Sequence, residues 1–137
     1  MSLFQVFDIS ATAMSAQSVR LNTIASNLAN AAVVSSSPEE AYRSRHPVFS
    51  TAFDSFMSDP EALGVKVNGV VESTVEPRKE YSPGHPLADG EGFIYRSNVD
   101  SVQEMTNMIS ASRSYQSSVE AMNTTKQLIM RTLTLGT

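Results

Sequence analysis

Apolar residues spaced three and four apart run along both ends of this chain, and that spacing constrains the fold more than any other feature. Near the amino terminus Leu3, Phe7, Met14, Leu21, Ile24 and Leu28 fall on a heptad-like ladder, with Ser10 and Gln17 on the intervening rungs. Ser2 with Gln5 offers a capping box, and nothing breaks the pattern before the VVSSSP cluster that ends at Pro38. The spacing therefore predicts a helix of about 30 residues and about 45 Å. Near the carboxy terminus Val102, Met105, Met108, Ile109, Tyr115, Val119, Met122, Ile129 and Leu133 make a second broad apolar face. Ser101 with Glu104 gives a capping-box signal there, and Gly136 lies where the helix should end. Two long, matched helices at the two ends of one chain pack most simply against each other, antiparallel. The expected helix-pair core is Leu3, Phe7, Met14, Leu21, Ile24, Leu28, Met105, Ile109, Val119, Met122, Ile129 and Leu133.

Between these ends the period changes. PVFSTAF (47–53) and GVKVNGVVESTV (64–75) are rich in Val, Phe and Thr with partial alternation, which predicts strands. Asn68-Gly69 fits either a type I′ hairpin turn or a bulge in one strand, and the alternation leans slightly to the bulge. SSSPEEAYRSRHP (35–47) reads as a linker or exposed loop. YSPGHPLADGEG (81–92), with two prolines and three glycines, reads as a structured loop, and GFIYR (92–96) leads back towards the second helix. The fold class is α+β, mainly α: long N-terminal and C-terminal helices packed antiparallel as a coiled-coil-like pair, with a small β-rich insert. The expected segments are 1–34, 35–97 and 98–137.

A chain of 137 residues suits one unit with a real core. Its net charge of −4 sits entirely in the middle, where 39–97 hold ten acids and six bases while both ends are neutral. No run of Lys or Arg supplies the basic stripe that nucleic acid requires, so no nucleic-acid partner is expected. The absence of cysteine removes disulfides, thiolate metal sites and cysteine nucleophiles, and leaves the compartment open. MSLFQVFDISATAMSAQ has neither a basic n-region nor a continuous apolar h-region, so no cleavable signal peptide is expected. With no run of about 18 apolar residues, no transmembrane segment is expected either.

Catalytic signals are weak. His85, Asp89 and Glu91 lie close together in the Pro-Gly loop, but three donors without a second ligand cluster fit loop hydrogen bonding better than a metal. His46 has no evident partner and reads as a surface residue. No serine sits in a G-x-S-x-G elbow, and neither GHP nor GEG is followed by a phosphate-loop lysine. The expectation is no catalytic residue, no cofactor and no metal. Two other classes stand beside a structural role: a small export chaperone or adaptor, and a metal-dependent hydrolase built around His85.

The polar side of the first helix is unusual. Around LNTIASNLANAAVV (21–34), Leu21, Ile24 and Leu28 centre one face, while Val19, Arg20, Thr23, Asn27 and Asn30 cluster opposite, mostly amides and hydroxyls where charges are usual. A solvated helix with few charges would account for this, but two such helices in one small chain favour burial on both sides, because Asn, Ser and Thr can pair across helices where Lys or Glu would lose hydration. A single copy cannot cover four helix faces, so neighbouring copies are expected to, which implies self-assembly into a helical array. Candidate intersubunit contacts are Gln17, Arg20, Asn27, Asn30, Arg113, Tyr115 and Asn123, and Val33 and Val34 are expected to become buried on assembly.

AQSVRLNTIASNLANA (16–31) resembles the amino-terminal signature of the bacterial flagellar axial proteins, the rod, hook and related families. SNVDSVQEMTNMISASRSYQSSVEAMNTTKQLIMRTLTLG (97–136) is similar to their carboxy-terminal helix. GVKVNGVVES and YSPGHPLADGEGFIY, followed by SNVD, point to one rod member within that family. AAVVSSSPEEAYRSRHP departs from the Thr-rich turn that relatives often carry. The resemblance implies a non-enzymatic subunit of the basal-body proximal rod, exported unfolded by the flagellar type III apparatus. It also implies polymerisation with copies of itself and other rod proteins in the periplasm, the helices lining a tube around the export channel and the β-rich middle outside. Axial stacking of paired helices would let such a rod carry motor torque.

Overall fold

The computed structural model describes residues 3–52 and 64–135. In chain order it has α1 (Leu3–Asn30), β1 (Val34–Ser35), β2 (Arg45–Ala52), β3 (Gly64–Glu72), β4 (Arg78–Tyr81), β5 (Phe93–Arg96) and α2 (Ser101–Leu135). The two helices have 28 and 35 residues and pack together, with the small sheets inserted between them in sequence. The cap at Ser2, the helix stop at Gly136 and strand residue 53 lie outside the described residues.

Contacts divide the chain into two units. One holds 1–21, 48–69 and 110–137; the other holds 22–47 and 70–109. In each unit the nearer part of α1 thus joins the part of α2 that an antiparallel pairing requires.

The face of α2 turned inward is one residue round from the face that its large apolar residues suggest. Glu104, Ala111 and Thr125, seven and fourteen residues apart, are buried, with Ser118 half-buried on the same heptad position. On α1 the buried positions are Ser10, Ala16, Thr23, Ile24 and Asn27. Small side chains let two helices approach closely. Their hydroxyls do not go unpaired: Ser10, Ser118 and Thr125 each donate to the carbonyl four residues earlier, at 2.8, 3.0 and 2.9 Å. Of the expected core, Ile24 is buried, and Phe7, Met14, Leu21, Leu28, Val119, Met122 and Ile129 are half-buried. Leu3, Met105, Ile109 and Leu133 are exposed, which corrects their assignment to the core of this chain. The reason is that the small polar residues, not the largest apolar ones, occupy the seam.

α2 also begins differently from the expected Ser101–Glu104 box. Asp100 is the cap, its Oδ1 accepting the N–H groups of Val102 at 3.0 Å and Gln103 at 3.3 Å. Glu104 is thereby freed to point inward.

In the unit containing 22–47 and 70–109, β5 is the centre of an antiparallel sheet of order β1-β5-β4. Val34 faces Arg96 on one side, and Arg78 faces Arg96 on the other. α1 stops at Asn30 and Val34 enters β1, so AAVV is an ordered connection within the chain while Val33 stays exposed. Ile94 and Val99 supply its apolar core with Ile24 and Ala41. β2 pairs with β3 as a second, two-stranded sheet. β3 runs unbroken through Asn68-Gly69, so the hairpin alternative is excluded; Gly69, at φ 152°, takes a conformation that side-chain-bearing residues rarely adopt.

Candidate assembly surfaces and the buried polar hub

Asn27 has no exposed surface, and every hydrogen-bonding site on its amide is used inside the chain. Its Nδ2 donates to the Arg45 carbonyl at 2.9 Å and to Glu104 Oε2 at 3.0 Å. Its Oδ1 accepts from the Arg45 N–H at 2.9 Å and from the Tyr42 hydroxyl at 2.9 Å. Two donors and two acceptors are all that an amide has. The assignment of Asn27 to an intersubunit contact is therefore corrected: it holds nothing out for a neighbour.

What covers it is the 35–47 stretch, where the sequence predicts a linker or exposed loop. Ala41 and Ser44 are buried there. Tyr42 also meets Ser26 Oγ at 3.3 Å, and Arg45 reaches Glu72 Oε1 through Nε at 3.1 Å and Nη2 at 2.9 Å. The Arg45 guanidinium lies 5.6 Å from the Tyr42 ring centre. Asn98 clips the same stretch from the other side, accepting from the Ser44 N–H at 2.7 Å and donating to the Val75 carbonyl at 2.8 Å. The neutral polar face of α1 is thus explained at Asn27 by burial under its own chain.

The other candidate contacts are placed variously. Asn30 is half-buried and donates back to the Ser26 carbonyl at 2.8 Å. Arg20 is half-buried. Gln17 has its Oε1 buried, with no hydrogen-bond partner among the described residues. Arg113 and Asn123 are exposed, and Tyr115 lies at the margin of exposure. Tyr115 and Asn123 line one groove of about 500 Å³ along α2 with Val119 and Gln127.

The clearest assembly candidate is a surface that includes Met105 and Ile109, two of the residues expected in the helix-pair core. Val102, Met105 and Ile109 are 74 %, 56 % and 56 % exposed and follow one another by three and four residues on α2. At about 100° per residue Val102 and Ile109 lie roughly opposite Glu104 and Ala111, with Met105 on the flank between. A contiguous apolar helix face turned away from its own core marks an interaction site. The signal was present in the sequence, but a helix apolar on one side and small on the other does not itself say which side faces inward.

The His85 loop is organised by hydrogen bonds of its own. Asp89 Oδ1 accepts the N–H groups of Phe93 at 2.8 Å and Glu91 at 3.0 Å, and its Oδ2 accepts the Tyr95 hydroxyl at 3.3 Å. The Phe93 N–H, first, holds the Asp89 carboxyl below its ordinary range; desolvation opposes this, and Glu91, Tyr95 and Lys79 add to the lowering. His85 Nδ1 accepts the Leu87 N–H at 3.1 Å. Glu91 pairs with Lys79 at 4.0 Å, and the Lys79 ammonium lies 4.0 Å from the Phe93 ring centre. Among the described residues no group of three or more His, Asp or Glu side chains could hold a metal ion. His46 is exposed. Among the described residues no helix is long and apolar enough to cross a membrane.

Known proteins are similar to this chain along its whole length. The family model of flagella basal body rod proteins matches residues 7–34, and that of the C-terminal region of flagellar basal body rod FlgEFG proteins matches residues 91–135. The flagellar basal-body rod protein FlgC of Yersinia enterocolitica is 47 % identical over 136 residues, covering 99 % of each chain. The FlgC proteins of Escherichia coli O157:H7 and Salmonella typhimurium are 47 % and 46 % identical, again covering 99 % of each chain.

Proposed function

The chain belongs to the FlgC family of flagellar basal-body rod proteins and is a structural subunit of that rod; from this premise we propose that it polymerises with copies of itself and other rod proteins into a tube that transmits motor torque around the export channel. The two terminal helical segments, 1–34 and 98–137, form the inner wall, and the β-rich 35–97 lies outside it. The subunit is made in the cytoplasm, leaves through the flagellar type III apparatus without a cleavable signal peptide, and assembles in the periplasm. It has no catalytic role.

One observation carries the polymerisation reading: Val102, Met105 and Ile109 form an exposed apolar face on α2, outside its buried seam. Burying such side chains is worth roughly 1.5–3 kcal/mol each, so a face of three is a substantial driving force. A partner-free subunit has no use for it. An export chaperone would also display an apolar surface, but the family of this chain is that of the rod itself. Gln17, Arg20, Asn30, Arg113, Tyr115 and Asn123 are the further proposed intersubunit contacts.

Met105→Glu tests the reading. The purified variant should keep its helical circular dichroism, since the side chain lies outside the core, while its incorporation into basal bodies and the motility of cells fall at least tenfold. Wild-type motility with normal incorporation would overturn the assignment of this face.

A further inference from the structure

The outer stripe of α2 is apolar at both ends and polar between. It begins with Val102, Met105 and Ile109, passes through Gln116 and Lys126, and becomes apolar again at Met130 and Leu133. Val102 and Met130 are separated by four heptads, as are Met105 and Leu133, so each pair shares one heptad position. Met130 and Leu133 are 57 % and 63 % exposed, like the stripe at the other end.

We infer that in the rod the last turns of the C-terminal helix of one subunit lie on the Val102–Ile109 face of the next, joining helices head to tail. This rests on the rod-subunit reading and names the partner of the face described there. The occupant is the C-terminal helix end of a neighbouring rod subunit, a segment whose family model spans 91–135 of this chain and is named for other rod proteins too. Three observations select it. The two ends match in chemistry, being apolar and free of charge at the contacting positions. They match in register, because whole heptads separate them. The polar middle opposes one alternative: side-by-side pairing over the full stripe, in either direction, would bury Gln116 and the Lys126 ammonium against a neighbour and remove their hydration. Full-length pairing would also give a closed dimer, whereas head-to-tail contact uses two different surfaces and extends.

The test places a photo-crosslinking benzoylphenylalanine at position 105, 116 or 133 of the full chain in motile cells, irradiates intact basal bodies and maps the joined peptides. Position 105 should capture the last turns of a rod subunit's C-terminal helix, position 133 the first turns, and position 116 neither. Capture of 105 by 105, of 116 by 116, or of 105 by any other segment would overturn the inference. Because the bulky residue could block incorporation, a second measurement uses Met105→Cys, Gln116→Cys and Leu133→Cys in this cysteine-free chain. Maleimide labelling in intact basal bodies should be at least tenfold slower at 105 and 133 than at 116, and equal rates would overturn the overlap. Absence of the wild-type chain from basal bodies would instead overturn the rod reading.

Discussion

Asn27 and Glu104, 77 residues apart in sequence, meet in the interior with Nδ2 of the amide 3.0 Å from a carboxylate oxygen. Glu104 also accepts from Asn107 Nδ2 at 3.3 Å, so the buried carboxylate is held by two amides. A single side chain of α1 thereby ties α2 to the Tyr42–Arg45 segment.

Asn27→Ala should be among the most destabilising single substitutions in the chain. It removes one partner from the Arg45 N–H and carbonyl, from the Tyr42 hydroxyl, which keeps Ser26, and from Glu104, which keeps Asn107; a buried polar group left unsatisfied costs about 1–3 kcal/mol. Asn27→Asp should be no rescue, because it replaces the donors that face Glu104 and the Arg45 carbonyl by acceptors. Urea denaturation of the purified chain measures both. A midpoint within error of wild type for Asn27→Ala would refute the hub.

The helices were legible from the sequence because their periodicity is strong and long. Their inward faces were not. Ser10, Ser118 and Thr125 look polar in a sequence, yet each satisfies its hydroxyl on its own helix and so can enter the seam. Residues 35–47 lacked any periodic pattern, and the cover they form over Asn27 depends on backbone groups of Arg45 that every residue type carries. β4 was missed for a related reason: Arg78–Tyr81 is exposed throughout, so no alternation marks it as a strand. Helix-end chemistry misled at Ser101, since Asp100 one residue earlier caps better with its carboxylate at a helix N-terminus.

Gly64 meets α1 too closely for a side chain. A Cβ there would lie 2.9 Å from Thr12 Oγ1 and 3.3 Å from its Cγ2, while that same Oγ1 accepts the Val65 N–H at 3.2 Å and donates to the Ile9 carbonyl. Gly64→Ala should therefore cost about 1–3 kcal/mol by overpacking. Thr12→Ala in the same chain should recover part of that loss, because it removes the atoms in the way. Thermal melts of the two single variants and the double variant give the coupling, and strict additivity would count against the close approach.

Asp89 makes the 82–92 loop sensitive to acid. Its folded pKa lies below the ordinary carboxylate value, chiefly through the Phe93 N–H, so the unfolded chain takes up the proton first as pH falls. The stabilising contribution is complete above the unfolded value of about 4 and disappears as pH falls through the folded one. Asp89→Asn should flatten the pH dependence of loop order below about pH 4, followed by NMR signals of Phe93 and Tyr95. Gly92→Ala should disturb the same loop at every pH, since Gly92 has φ 84° and its Cβ would lie 3.0 Å from the Tyr81 ring. An unchanged acid profile in Asp89→Asn would remove Asp89 from this role.

Hydrogen exchange should be graded along both helices of the unassembled subunit. Thr23, Ile24, Asn27, Val99, Glu104 and Ala111 are buried in the chain itself, whereas from Lys126 to Leu135 every residue but the half-buried Ile129 is exposed, and Leu3 and Phe4 are exposed at the start of α1. Protection follows the free energy of local opening, which is low where few apolar contacts hold the backbone. Amides of 22–30 and 104–111 should therefore exchange slowest, and those of 128–135 should exchange at least a hundredfold faster. Assembly covers the exposed ends, so in intact basal bodies the two sets should converge, because anything that binds the folded form stabilises it. Equal protection of 22–30 and 128–135 in a proven monomer would show that the C-terminal turns need no neighbour, and would remove the physical reason for their apolar residues to face outward.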